Sequence, residues 1–347
     1  MITVALDAMG GDRGVAATVE GTAQLTREDN DIHVVLVGDV RAMSQHLESL
    51  RYDPTRLTLV DAEGWIGMDE KPREALEAKP RCSILEAARL VKAGEAQALV
   101  TTGHTGGAIL ASARCFDLLP GIRRAALASV YPTEARHGPR GDPFALILDI
   151  GATLTAEAED LVGFALMGSA YSSVISELRD PRVALLSNGT EPTKGTPAIV
   201  GAHARLQEAP IRFMGNVEGL DIPRGTVDVI VCDGFLGNVV LKMLEGISEV
   251  FLDVAREASA RSLQWRIALS MLGGGLRELR RLTDFNHYGG APLLGFEEVV
   301  IKAHGRSGPR AVRNAIKVAA KAVRGDLTGR IRDGVAGLHL DARPDRR

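Results

Sequence analysis

Short apolar runs alternate with helical patterns almost from end to end of this chain, and nearly every apolar run stops at a polar, glycine-bearing turn. Residues 2–6 lead into Asp7-Ala8-Met9-Gly10-Gly11-Asp12 and then a helical pattern over 15–25. Residues 32–37 pass through Gly38-Asp39 into 42–50, and 98–100 pass through Gly103-His104-Thr105-Gly106-Gly107 into 108–116. Further apolar runs fall at 57–60, 183–186, 211–214 and 227–232, and further helical patterns at 84–92, 160–175, 198–207 and from Val239 onward. Such alternation specifies an α/β fold with a mainly parallel sheet flanked by helices. One pair departs from it: 126–131 and 144–148, joined by a polar stretch with Pro and Gly, read as antiparallel neighbours.

The chain of 347 residues is long enough for one large core or two smaller ones. No low-complexity linker marks a boundary, so residues 1–330 read as one α/β catalytic body with room for two subregions. Residues 331–347 turn polar and charged and read as a frayed tail. Between 247 and 282 the helical pattern runs long, broken at Gly273-Gly274-Gly275, and its charges are largely Arg, including Arg256, Arg261, Arg277, Arg280 and Arg281. A basic amphipathic pair of this kind suits either a subunit interface or an anionic partner surface.

Composition excludes several classes. A net charge of -3 and 4% aromatic residues argue against nucleic-acid binding. Cys82, Cys115 and Cys232 are too far apart for a CxxC metal or redox pair. No leader is visible ahead of the first strand and no apolar run approaches the roughly 20 residues of a membrane-spanning helix, so a cytoplasmic location is expected. There is no GxGxxG after a strand, no GK[ST] phosphate loop, no GxSxG elbow and no HExxH pair. No cofactor and no metal site is therefore expected, and a covalent Ser or Cys mechanism has no local support.

What remains is the set of strand-end turns. The richest is 229–246, where an apolar strand meets Asp233-Gly234, then Gly237-Asn238, then a helix carrying Lys242. Others offer Asp7, Gly10 and Gly11; His104, Thr105 and Gly106; Asn188 with Lys194; Asn216; and Lys302 with His304. In a parallel sheet, such turns gather at the carboxyl ends of the strands, where α/β proteins bind ligands. A helix start reached by close backbone approach suits an anion. Each member also has an ordinary reading, since Gly turns, Asp caps and surface Lys are common. The residues by themselves lead to an α/β enzyme handling an anionic, phosphate-bearing ligand.

The turn sequences taken in order resemble the bacterial phosphate acyltransferase of phospholipid synthesis, the PlsX family. The matching strings are DAMGGD at 7–12, FALMGSAY at 164–171, NGTEPTKG at 188–195, GNVEG at 215–219, DGFLGNVVLKMLEG at 233–246 and YGGAPLLGFEEVVIKAHGRS at 288–307. The resemblance implies a fold of the isocitrate/isopropylmalate dehydrogenase type, a homodimer, and conversion of a long-chain acyl-[acyl carrier protein] and inorganic phosphate to acyl phosphate and free carrier protein. That product would feed glycerol 3-phosphate acylation. Phosphate is then the nucleophile, which fits the missing Ser and Cys motifs.

On this basis Lys194, Asn238, His304 and Lys302 are the expected catalytic groups. Asp7, Gly10, Gly11, His104, Thr105, Gly106, Asn188, Asn216, Asp233 and Lys242 are the expected substrate contacts. Acyl carrier protein and phosphate are the expected partners, with the Arg-rich helices offering a contact to carrier protein or, peripherally, to a membrane. A phosphotransacetylase-like enzyme using acyl-coenzyme A, a dehydrogenase of the related fold and a non-catalytic phosphate-metabolite sensor are the competing readings. Two positions depart from the resemblance: His104 and Thr153 stand where Asn is usual.

Overall fold

A computed structural model describes residues 1–139, 141–261, 264 and 289–338 of the chain. β1 (Ile2–Asp7), β2 (Ile32–Gly38), β3 (Leu57–Asp61) and β4 (Ala98–Thr101) are interleaved with α1 (Gly14–Glu28), α2 (Val40–Leu47), α3 (Pro72–Ala78) and α4 (Ser83–Lys92). After α5 (Thr105–Cys115) come β5 (Ala126–His137), β6 (Asp142–Leu148), α6 (Ala158–Ile175), β7 (Arg182–Leu186) and α7 (Pro197–Leu206). β8 (Arg212–Val217), α8 (Asp221–Arg224), β9 (Val229–Val231) and α9 (Gly234–Arg261) follow. β10 (Ala291–Leu294), β11 (Val299–Lys302), α10 (Pro309–Arg324) and α11 (Leu327–Ala336) close the described chain.

The strands form one sheet in the order β3-β2-β1-β4-β11-β10-β5-β6-β9-β7-β8. Within β3-β2-β1-β4-β11 every pairing is parallel, as it is within β6-β9-β7-β8. Between these blocks β10 is antiparallel to β11 and to β5, and β5 is antiparallel to β6. Three reversals leave the two parallel blocks running in opposite directions. The expectation that all the strand-end turns meet on one edge is therefore corrected: the two blocks run in opposite senses, and the turns after β7 and β8, at one end of the sheet, stand apart from the others.

Central strands are apolar on both faces, as a sheet covered by helices requires: Val4, Ala5 and Leu6 of β1 and Leu99 and Val100 of β4 are fully buried. α6 is buried on nearly every side and starts from a capping box of Glu157 and Asp160. α10 buries the stripe Val312, Ala315, Ile316, Ala319 and packs on α1 at Gly21, where a Cβ would come within 2.5 Å of the Pro309 carbonyl oxygen.

Two boundaries differ from the sequence pattern. α9 begins at Gly234, so the Gly234–Asn238 turn is the first helical turn. α11 continues the ordered chain to Ala336 with Ile331 and Val335 buried, so the tail does not begin at 331. Arg256 and Arg261 fall in α9, whereas Arg277, Arg280 and Arg281 lie outside the described residues.

Candidate active site

The turns after β1, β4 and β11 are laced together. Asp7, at the end of β1, is buried and accepts hydrogen bonds from Ser83 Oγ at 2.6 Å, Thr101 Oγ1 at 2.7 Å and the Met9 amide at 3.3 Å. Burial pushes its carboxyl above the ordinary range, against the pull of those donors. Gly10 lies against Gly103, where a Cβ would sit 2.4 Å from the Gly103 Cα, and the Thr102 hydroxyl donates to the Gly10 carbonyl at 2.6 Å. The Asp12 amide donates to Gly305 O and the Ala303 amide to Thr101 O, each at 2.8 Å. These glycines permit close backbone contact between turns, and Asp7 is the pin that holds them.

Beside this assembly is a cavity of about 480 Å³. One side is made by Asp12, Thr105, Gly106, Lys302, His304 and Ser307. The opposite side is made by α9, whose Asn238, Leu241, Lys242 and Glu245 share a helical face, and by Leu127, Val130 and Ile150. Polar groups crowd the first side, while Ile109, Leu127, Val130, Ile150 and Leu241 give the remainder an apolar lining.

Lys302 is the buried cation of the cavity, at 6% exposure. Its Nζ donates to Thr102 O at 3.4 Å and to its neighbour's carbonyl at Ala303. Burial lowers its pKa to about 8, with Asp7 and Asp12 opposing the shift. His304 is also held below its ordinary value, first by burial and then by the charge of Lys302. Its Nδ1 accepts the Arg306 amide at 3.1 Å, so a neutral ring carries its proton on Nε2. Glu245 is raised by burial, with Lys242 opposing.

The structure brings Asn238, Lys242, Lys302, His304, Thr105 and Gly106 together around this cavity. His104 sits one residue away and caps α5, its Nδ1 accepting the Gly107 amide at 3.3 Å. Asp7, Gly10 and Gly11 stand behind the cavity wall in the lacing just described, and Asp233 caps α9 through the Leu236 amide at 2.8 Å.

Asn188, Lys194 and Asn216 lie elsewhere: β7 and β8 are the last two strands of the sheet, beyond β9, and their turns do not reach this cavity. Asn188 and Lys194 are exposed. Asn216 is buried with both ends of its amide engaged, Oδ1 to His203 Nδ1 at 3.0 Å and Nδ2 to Glu191 O at 2.9 Å. Thr190, Pro192 and Gly215 of the neighbouring turns line a separate hollow of about 440 Å³ with His203 and Phe213.

The sequence offers Asp149 with Gly151 as one more polar strand end, without placing it among the expected site residues. It is fully buried, and its carboxylate accepts from the amides of Leu127 at 2.9 Å, Gly151 and Ala152 at 3.0 Å, and Thr153. These bonds set Leu127, Ile150 and Gly151 in the cavity wall; the signal was a single Asp at a strand end, indistinguishable from a turn cap. Thr153 turns away, its hydroxyl donating to Ala125 O at 2.9 Å, so the two departures from the resemblance are both spent on local hydrogen bonds. Among the described residues no group of three or more His, Cys, Asp or Glu is placed to hold a metal ion, and no helix is long and apolar enough to cross a membrane.

Comparison with known proteins gives a consistent picture. The family described as "Fatty acid synthesis protein" matches residues 2–330. The phosphate acyltransferase of Heliobacterium modesticaldum is 40% identical over 96% of this chain and 98% of its own length. That of Moorella thermoacetica is 40% identical over 94% and 96%. Among solved structures, a phosphotransacetylase from Streptococcus pyogenes superposes with a TM-score of 0.60 at 16% identity, covering 93% of this chain and 94% of the other. A 4-hydroxythreonine-4-phosphate dehydrogenase from Klebsiella pneumoniae gives 0.53 at 13% identity, covering 92% and 98%. Likeness at that identity establishes a shared fold and no more.

Proposed function

Since the chain belongs to the fatty acid synthesis protein family of phosphate acyltransferases, we propose that its substrates are a long-chain acyl-[acyl carrier protein] and inorganic phosphate, and its products acyl phosphate and free carrier protein. The product would supply glycerol 3-phosphate acylation in phospholipid synthesis. One observation carries the reading: a single cavity joins a cationic, amide-lined side to an apolar lining, which suits an acyl chain whose thioester lies beside a phosphate.

In this scheme Lys302 and the first turn of α5 hold phosphate, the helix start adding its own positive end. A phosphate oxygen attacks the thioester carbonyl carbon, forming the C–O bond. The carbonyl oxygen becomes an oxyanion stabilised by the Asn238 amide and Lys302. Collapse breaks the C–S bond, and the sulfur leaves as a thiolate that accepts a hydrogen bond from His304 Nε2–H and takes its proton from water. Lys242, exposed at the mouth, contributes long-range attraction. Lys194, Asn188 and Asn216 have no part in this cavity.

The chain acts as a homodimer in this reading. α9 carries an exposed apolar stripe of Phe235, Val239, Met243, Ile247, Val250 and Val254 beside its cavity face, and a second copy would cover it. A peripheral membrane contact through the Arg-rich stretch would involve Arg256 and Arg261 of α9 together with residues outside those described.

The test is direct. Purified protein is incubated with long-chain acyl carrier protein and phosphate, and acyl phosphate and free carrier thiol are measured, with acyl-coenzyme A in parallel. Preference for coenzyme A donors would favour the phosphotransacetylase reading. Ligand binding without turnover of either donor would favour a sensor.

A further inference from the structure

The rim of the cavity holds a cluster of polar groups that this chemistry does not use. The turns after β1 and β11 are joined where the Asp12 amide donates to Gly305 O at 2.8 Å. Arg13 and Arg306 are the next residues along the two turns, so this bond brings their backbones close to one another. Both are exposed, and among the described residues neither has an ion-pair partner. Arg13 also reaches across Gly308, where a Cβ would lie 3.2 Å from its Nη1.

Between Arg306 and Gly308 is Ser307, which lines the cavity at 3% exposure and whose hydroxyl has no hydrogen-bond partner among the described residues. The starts of two long helices, α1 at Gly14 and α10 at Pro309, meet at the same place and add their positive ends. Asp12 is the carboxylate of this rim, and its charge is felt by Lys302 and His304.

We propose that Arg13, Arg306 and Ser307 form a subsite for an anionic phosphate group, the one at the end of the phosphopantetheine arm of the thioester donor. The inference rests on the acyltransferase reading and deepens it by naming the part of the donor that is recognised. Attacking phosphate must sit beside the buried Lys302. An arm that brings a thioester there from solvent has to cross the rim, where two unpaired guanidiniums offer paired donors to phosphate oxygens. Carrier protein and coenzyme A both present this arm, so the subsite accepts either and chain identity is decided elsewhere.

The test compares the wild type with the Arg13→Gln/Arg306→Gln double variant on three thioesters: acyl carrier protein, acyl-coenzyme A and an acyl-pantetheine lacking the phosphate. The variant is expected to lose roughly ten-fold or more in kcat/KM on the two phosphate-bearing donors, through KM. Acyl-pantetheine and the KM for inorganic phosphate should change less than about two-fold. An equal loss on all three donors, or a raised KM for phosphate with donors unaffected, overturns the proposal; the second result would assign the arginines to the acceptor. Equilibrium binding of phosphopantetheine against pantetheine, which needs no turnover, judges the subsite separately. A protein that turns over no donor yet binds phosphopantetheine roughly ten-fold tighter than pantetheine, with the preference lost in the variant, would keep the subsite and discard the acyltransferase reading. Absence of that preference in the wild type discards the subsite.

Discussion

Two strand-to-helix turns that read alike in the sequence do different work in the fold. The first runs from β4 through Gly103 to Gly107 into α5, the second from β9 through Asp233 to Asn238 into α9. At α9 the leading amides are consumed internally: Gly234 N donates to Thr153 O, Phe235 N to Leu154 O and Leu236 N to Asp233 Oδ1. Its glycines serve packing, since a Cβ on Gly237 would fall 1.9 Å from the Asp149 carbonyl oxygen. What α9 gives the cavity comes one turn later, from the side chains of Asn238, Leu241, Lys242 and Glu245. At α5 the order is inverted, with the first residues Thr105 and Gly106 themselves on the cavity and His104 capping from outside. A glycine-bearing turn marks close approach, and only the neighbours decide whether a ligand or another strand is what approaches.

The contrast breaks most easily at its two lysines. Lys302 is buried on the α5 side and Lys242 exposed on the α9 side. Lys302→Ala is expected to lower phosphate-dependent thiol release by about 10²–10³-fold, the usual cost of removing a preorganised oxyanion donor. Lys242→Ala should cost less than about five-fold, as removal of a screened charge does. Equal losses would mean that burial does not separate the two walls.

The glycines offer a test on stability. Gly237→Ala has to displace backbone, and is expected to lower the free energy of unfolding in urea by about 3 kcal/mol. Gly106→Ala presses on the Pro72 ring at 2.9 Å, which can shift, and gains helix propensity, so a change under about 1 kcal/mol is expected. Comparable losses at the two positions would remove the distinction drawn between them.

A third effect follows from the pKa of Lys302. Burial has lowered it to about 8, so the ammonium is present below that pH and is lost above it. If the charged form holds phosphate, kcat/KM for phosphate falls as pH rises through about 8, approaching ten-fold per pH unit. Lys302→Arg, whose guanidinium stays charged, should lack that alkaline limb even if its rate is lower throughout. An alkaline limb unchanged in the Arg variant assigns the titration to another group.

How far the sequence led can be seen in particular residues. Strand and helix existence followed from apolar periodicity, and the 126–131/144–148 pair was legible as antiparallel from its short polar connection, which the β5–β6 pairing confirms. The relative sense of the two parallel blocks was not legible. It depends on β10 inserting between β11 and β5, a long-range pairing that no local pattern encodes. Strand order was hidden in the same way, and it is what separates Lys302 and His304, which line the cavity, from Lys194 and Asn216, which lie on or just after the two strands at the far edge of the sheet. Asp149 was legible only as one more strand-end Asp for a related reason, because the amides it gathers belong to β5 and to the segment after β6.

The smallest effect sharpens this point. Asn238 and Lys194 are both polar residues of glycine-bearing turns, and the sequence ranked them together. Asn238 faces the cavity from α9, so Asn238→Ala removes a neutral donor and should reduce kcat by about ten-fold with KM for phosphate little changed, the signature of a contact made in the transition state. Lys194 lies on the exposed turn after β7, outside the cavity, so Lys194→Ala should leave both constants within about two-fold. A large loss at Lys194 with Asn238 silent would require the β7 turn to reach a reacting group that this chain does not itself place beside it. Gel filtration of both variants would then show whether the loss follows a change in association between copies.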